Sequence, residues 1–164
     1  MIIQDKTLLK EPCLAVVDNG LEIAAQLIIE LEKHPTGIGL SAPQIGIQER
    51  VFVFQKSSGL IAFAINPIIV EKRYPYLNHE ESCLSFPDKF VNTIRYRQVI
   101  WKDDFKKEPV EMFGRDALVW AHEFDHLDGI LMFDRTEPGK YDKCFCGSEE
   151  KYKFCCYERI HGKK

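Results

Sequence analysis

Apolar positions recur at helical spacing in two segments, with short apolar blocks between them. Leu21, Ala24, Ala25, Ile28 and Leu31 fall on one helical face, so an amphipathic helix is predicted up to about Lys33. Asp18 or Asn19 can cap it, and Pro35 ends the segment. The runs Val51 to Phe54 and Leu60 to Ile65 flank Lys56-Ser57-Ser58-Gly59, a turn composition, and are predicted to pair as a hairpin. Asn66-Pro67 punctuates, Ile68 to Val70 is read as continuing the sheet, and Phe90 to Lys102 alternates weakly as one or two more strands. Pro109 to Phe113 leads through Gly114 into a second helix, on which Ala117, Leu118, Ala121 and Leu127 are apolar at helical spacing and Gly129 is a natural stop. Residues 1–17 read as an extended arm, because Pro12 opposes a regular helix. Short strands before a central helix, without regular βα alternation, give an α+β class.

The second helix carries chemistry. His122-Glu123-Phe124-Asp125-His126 puts two imidazoles about 400° apart in rotation, one turn apart on one face. Both can reach a single metal ion, and Glu123 beside it can take a proton from a bound water and return it to a leaving group. The plain alternative is a helix with two buried, hydrogen-bonded histidines. Catalytic tetrahedral sites usually take three protein ligands, so a third has to come from elsewhere. Cys83, in Glu80-Glu81-Ser82-Cys83-Leu84-Ser85, is the one cysteine in the middle of the chain and a credible thiolate donor; its alternative is a buried free thiol. Gly37-Ile38-Gly39-Leu40-Ser41-Ala42-Pro43-Gln44 lacks the spacing of a phosphate loop. Its glycines suit close approach of another backbone, and the Gln44 amide needs partners if buried.

Composition narrows the setting. At 164 residues and 45% hydrophobic, the chain supplies one core and little more. A formal net charge of −3 carries no signature of nucleic-acid binding, so no sequence-specific nucleic-acid partner is expected. Met1 to Pro12 mixes Lys with Asp and Glu and has no signal-peptide pattern, and no run of 18 apolar residues spans a membrane. A cytoplasmic protein with no membrane partner is expected. Six cysteines allow three disulfides, but Cys144, Cys146, Cys155 and Cys156 crowd one end while Cys13 and Cys83 stand apart. In a reducing compartment that distribution points to metal.

Taken in order, the segments G-I-G-L-S-A-P-Q (37–44), E-S-C-L-S (81–85) and H-E-F-D-H (122–126) resemble the three signature motifs of the peptide deformylases. The resemblance spans most of residues 1–135. It implies antiparallel sheets around a central metal-binding helix, and removal of the formyl group from N-formyl-methionyl ends of nascent chains. It implies Cys83, His122 and His126 as ligands of one divalent metal, Fe(II) in the usual physiological form, with Zn(II), Ni(II) or Co(II) also accommodated. It implies Glu123 as the proton carrier, and the Gln44 side chain and Leu84 backbone N–H as donors to the oxyanion. Ile38, Gly39 and Ser82 correspond to substrate-facing positions, and Leu118 and Val119 can wall the methionine pocket or simply pack in the core. Three departures stand out: Ser82 replaces a usual glycine, Ser41 a usual alanine, and Arg115 an apolar pocket residue two turns before His122. A guanidinium there either snorkels out or reshapes the pocket.

After Asp134 the chain changes character, and Glu137-Pro138-Gly139-Lys140 reads as a linker, dividing a catalytic unit (1–136) from a tail (137–164). C-x-C-G-S…K-Y-K-x-C-C resembles the SEC-C motif, which implies one structural Zn(II) on Cys144, Cys146, Cys155 and Cys156; the alternatives are free thiols or a redox pair. Residues 140–164 hold seven Lys or Arg and four Asp or Glu, net +3, against −6 for residues 1–139. A tether to the ribosome is an expectation for such a tail, weakened because four thiolates on Zn(II) reduce the charge to about +1. A monomer is expected. Two other functions fit parts of the pattern: another HExxH metallopeptidase, and a non-catalytic zinc module that binds ribosomes. The first generally takes a downstream third ligand, and the second needs neither Glu123 nor Gln44.

Overall fold

The computed structural model describes residues 1–106 and 108–162. Two three-stranded antiparallel sheets flank one long helix, an α+β arrangement. The first sheet runs β1 (Gly39–Ser41), β2 (Val51–Gln55), β3 (Ile61–Ile65) in chain order, with β2 and β3 forming the hairpin that the turn composition predicts. Strand β2 is buried on both faces, which is why it reads as an unbroken apolar run. Val51 and Val53 pack towards α1 (Gly20–Leu31), while Phe52 and Phe54 pack towards α2 (Gly114–Leu127). Trp101 and Trp120, with ring centroids 5.0 Å apart, close the core between α2 and the second sheet.

That second sheet is dominated by a long hairpin, β4 (Ile68–Cys83) and β5 (Phe86–Lys102), with β6 (Val110–Phe113) on the far side of β5. Cys83 pairs with Phe86, so Leu84 and Ser85 are the turn and Cys83 sits at the hairpin tip. Ile68 to Val70 therefore opens a second sheet and does not continue the first, and Phe90 to Lys102 is part of one strand. Most of β4 was not legible as a strand, because it is an edge strand with few buried side chains and a central Pro75, which edge positions tolerate.

Two further expectations need correction. The N-terminal arm contains one short helical turn, Lys6–Leu9, because Asp5 accepts from the Thr7 N–H at 2.7 Å and Pro12 comes only after the turn has ended. Helix α1 begins at Gly20 after Asn19, whose side chain makes no capping bond. It is rotated from the predicted face: Ile23, Ala24, Leu27 and Leu31 are buried, whereas Leu21 and Ala25 are exposed and Ile28 is half-buried. Apolar residues at 21, 23, 24, 25, 27 and 28 define two overlapping stripes, and contact with the sheet selects one.

Helix α2 ends as the sequence suggests. Gly129 has φ +69°, and a Cβ there would overlap the Lys10 carbonyl oxygen. Its left-handed stop thus also docks the N-terminal turn. Beyond residue 136, the tail forms a bridge between Lys143 and Lys151, a turn over Tyr152–Phe154 and a short helix α3 (Tyr157–His161) packed against β4. No helix among the described residues is long and apolar enough to cross a membrane.

Candidate active site

Helix α2 delivers His122, Glu123 and His126 to one side, and the β4–β5 tip delivers Cys83 opposite them. One donor atom from each of Cys83, His122 and His126 lies within 4.8 Å of the others, and all three residues are buried. Cys83 Sγ is 3.3 Å from His126 Nε2. His122 turns Nδ1 towards Glu81, 2.7 Å from Oε1, which leaves Nε2 as its ligating atom. Burial, and to a smaller degree the nearby His122 charge, depress His126 to about 3, so its ring is neutral and available to a metal. Among the described residues, His126 Nδ1 and Glu123 Oε2 are buried without a hydrogen-bond partner, an arrangement costly in a purely structural core. The donor set of one sulfur and two imidazole nitrogens suits Zn(II), Fe(II) and similar ions.

Gln44 is almost wholly buried beside this group. Ser41 donates to its Oε1 twice, from the backbone N–H (2.9 Å) and from the hydroxyl (2.8 Å). That fixes the amide orientation and points Nε2 at the cluster, 3.2 Å from Ser85 Oγ and 3.5 Å from Cys83 Sγ. The departure at Ser41 thus has a use, since its hydroxyl holds the amide.

Glu123 is raised to about 7 by burial, against the lowering effects of His122 and the Ser41 hydroxyl. It lies against Gly39, where a Cβ would overlap Oε1 and fall 2.8 Å from Cγ and Cδ. Gly39 is therefore required by the carboxylate as well as by any approaching substrate.

A cavity of about 600 Å³ opens onto these groups. Ile38, Gly39, Gln44, Ser82, Cys83, Leu84, Leu118, Val119, His122 and Glu123 all line it, so every residue read as substrate-facing borders one space. Strand β1 contributes one wall and the tip of β4 the other, and both are edge strands of their sheets. Leu118 is half-buried and Val119 buried, so pocket wall and core packing are compatible. Arg115 is exposed and does not line the cavity. Phe90, 67% exposed, lines the cavity although its sequence context did not mark it.

The support behind the histidines was not read from the sequence. Glu81 accepts from Thr93 Oγ1 (2.6 Å), from Arg95 Nε (2.8 Å) and, at its other oxygen, from Arg95 Nη2. Arg95 also reaches Asp125 Oδ2 at 2.5 Å, and Arg135 grips Asp125 at 2.5 and 2.9 Å. Burial raises both carboxyls, but hydrogen bonds from His122 and Arg95 hold Glu81 well below the usual range, and Arg95 with Arg135 does the same for Asp125. Two buried anions and two guanidiniums balance, which is the condition for such a cluster to survive desolvation. Glu81 and Asp125 lie inside the quoted motifs; Arg95 and Arg135 offered no local signal.

At the other end of the chain, one sulfur from each of Cys144, Cys146, Cys155 and Cys156 lies within 4.8 Å of the others. The sulfurs of Cys146 and Cys155 are 3.4 Å apart, those of Cys155 and Cys156 3.8 Å, and all six cysteines are free thiols. Cys144 and Cys156 are buried with Tyr152 in a miniature core.

Known proteins match in the same region. The family model described as polypeptide deformylase matches residues 1–141, ending before the first tail cysteine. A peptide deformylase of Thermotoga neapolitana is 41% identical over 130 residues, covering 75% of this chain and 76% of the relative. The crystal structure of the Thermotoga maritima peptide deformylase superposes with a TM-score of 0.72 at 35% identity, covering 84% of this chain and 97% of that one. The peptide deformylase of Thermus thermophilus gives a TM-score of 0.74 at 28% identity, with 84% of each chain covered.

Proposed function

The chain belongs to the peptide deformylase family, and we propose that it removes the formyl group from N-formyl-methionyl ends of nascent polypeptides through the groups converging at Cys83, His122 and His126. It is a metal-dependent hydrolase, and its products are formate and a free α-amine. The observation that carries the assignment of roles is the Cys83 thiol, the His122 imidazole, the Glu123 carboxylate and the oriented Gln44 amide lining a single cavity, with the His126 imidazole 3.3 Å from the thiol.

Cys83, His122 and His126 would hold the ion. When bound, a divalent ion there supplies Lewis-acid activation of water and polarisation of the formyl carbonyl. Glu123 accepts the proton released by the attacking water and delivers it to the departing amine; its raised proton affinity suits both directions. The Gln44 Nε2–H, aimed by Ser41, donates to the developing oxyanion, as does the backbone N–H of Leu84 at the hairpin tip. Losing one such donor typically costs about 10²–10³ in rate. Ile38 and Gly39, just before and at the start of one edge strand, and Ser82 on the other bracket an extended peptide, which pairs as an added strand while Leu118 and Val119 wall the methionine side chain. Fe(II) is the expected physiological ion, with Zn(II), Ni(II) or Co(II) alternatives.

Residues 1–136 form the catalytic unit and residues 137–164 a tail in which Cys144, Cys146, Cys155 and Cys156 hold one Zn(II). Four sulfurs at mutual distances suited to one tetrahedral ion support this reading. The tail tethers a monomeric, cytoplasmic enzyme to ribosomes; cosedimentation that survives loss of residues 140–164 would count against the tether. The test of the assignment is metal stoichiometry together with formate release. Wild type carries two divalent ions per chain, Cys83→Ala carries one and releases no formate, and a Cys83→Ala protein that retains both ions would refute the ligand set.

A further inference from the structure

Helix α2 also borders a second cavity. Behind the histidines, Ala121 and Asp125 line a separate cavity of about 90 Å³, together with Arg95, Tyr96, Arg135 and the tail residue Phe145. Phe145 stands between Cys144 and Cys146, so the thiol cluster fixes its backbone on both sides. Its half-buried ring lies edge-on to Tyr96, with centroids 6.4 Å apart at 75°, and 5.8 Å from the buried Tyr152. Tyr152 donates to Glu137 at 2.8 Å, and Thr136 bridges to Thr93, the same threonine that donates to Glu81.

We infer that Phe145 is a positioning residue that ties the state of the tail cysteine cluster to the catalytic centre by roofing the cavity behind the metal-ligand helix. Beneath the ring, Arg135 and Arg95 hold Asp125, Arg95 holds Glu81, and Glu81 holds His122 Nδ1. Each link is an ion pair or charge-assisted hydrogen bond whose strength depends on water being kept out. A ring over the cavity keeps the local dielectric low; a methyl group in its place opens the rear of the cluster to solvent. His122 then loses rigidity without any change in its own contacts. The tail is thereby part of the catalytic apparatus and not an appendage.

This inference rests on the reading of Cys83, His122 and His126 as metal ligands, and the test separates the two. Full-length protein is reconstituted with Co(II), whose visible spectrum differs between a four-thiolate site and a one-thiolate, two-imidazole site, and is challenged with EDTA. Phe145→Ala is expected to speed Co(II) loss from the one-thiolate site several-fold, less than the roughly 10- to 100-fold cost of removing an outer-shell partner itself. Phe145→Leu restores the wild-type rate because it refills the roof. Phe154→Ala, 69% exposed in the tail and outside the cavity, leaves the rate unchanged. Cys146→Ser, which loosens the knot while keeping the ring, moves the rate in the same direction as Phe145→Ala, so the inference is tested even if the alanine variant fails to fold. Wild-type rates at the one-thiolate site in both Phe145→Ala and Cys146→Ser, or equal acceleration by Phe154→Ala, would overturn it. A wild type without a one-thiolate spectrum would refute the ligand reading directly.

Discussion

Glu81 Oε1 lies 2.7 Å from His122 Nδ1, and the other carboxylate oxygen of Glu81 is held by Thr93 and Arg95. One acid thus orients a candidate ligand and neutralises a guanidinium that is itself only 3% exposed. Glu81→Ala removes both functions. Metal affinity is expected to fall about 10- to 100-fold, and loss of one of the two carboxylates paired with the buried Arg95 to cost up to about 3–5 kcal/mol. Competitive chelator titration and urea unfolding check the two effects; unchanged values in both would contradict the role given to Glu81.

Gly39 is expected to resist substitution for a reason specific to Glu123. The Cβ of Gly39→Ala would collide with the Glu123 carboxylate and push it from its place. Displacing a proton carrier by about 1 Å can cost up to about 10²-fold in rate. The candidate metal ligands are not touched, so kcat/KM should fall while metal content stays at the wild-type level. Equal kcat/KM for the alanine variant would show that the carboxylate has room to move.

Beside His126, whose depressed value of about 3 works in the same direction, and Glu123, whose raised value of about 7 works against it, acid should destabilise the metal-free protein through Glu81 and Asp125. Both are held below the ordinary carboxylate value when folded, so their contribution is fully present above about pH 4 and is lost as pH falls through that range towards their folded values. Each contributes a slope of at most about 1.4 kcal/mol per pH unit. His122 has the opposite sign: burial lowers it, but hydrogen bonds with Cys83 and Glu81 raise it overall. Its stabilisation is present below the ordinary histidine value and lost as pH rises through the raised one, outside the acid window. Urea midpoints in EDTA between pH 6 and pH 3 should fall for wild type and fall less steeply for Asp125→Asn. Parallel curves would contradict the cluster.

How much of this was legible depends on the distance over which each feature is encoded. The facing of His122 and His126 follows from helix geometry within five residues, and the β2–β3 hairpin from two apolar runs and a turn. Strand β4 was hidden because an edge strand has little apolar pattern to show, and the α1 face because the sequence offers two overlapping stripes. Arg95 was invisible for a different reason: its partners Glu81 and Asp125 come from β4 and α2, and only the folded chain joins them. The tail cysteines were conspicuous as a cluster, whereas the contact between Phe145 and Tyr96 had no trace in either segment.

Anaerobic assay of formate release from a formyl-methionyl peptide, with metal content measured on the same samples, tests the central claim most directly. Glu123→Ala is expected to keep the wild-type metal stoichiometry and to lose nearly all turnover, a drop of at least about 10²–10⁴-fold for loss of the proton carrier. A Glu123→Ala protein that releases formate at the wild-type rate with its metal in place would contradict the role of Glu123 and the site built around it.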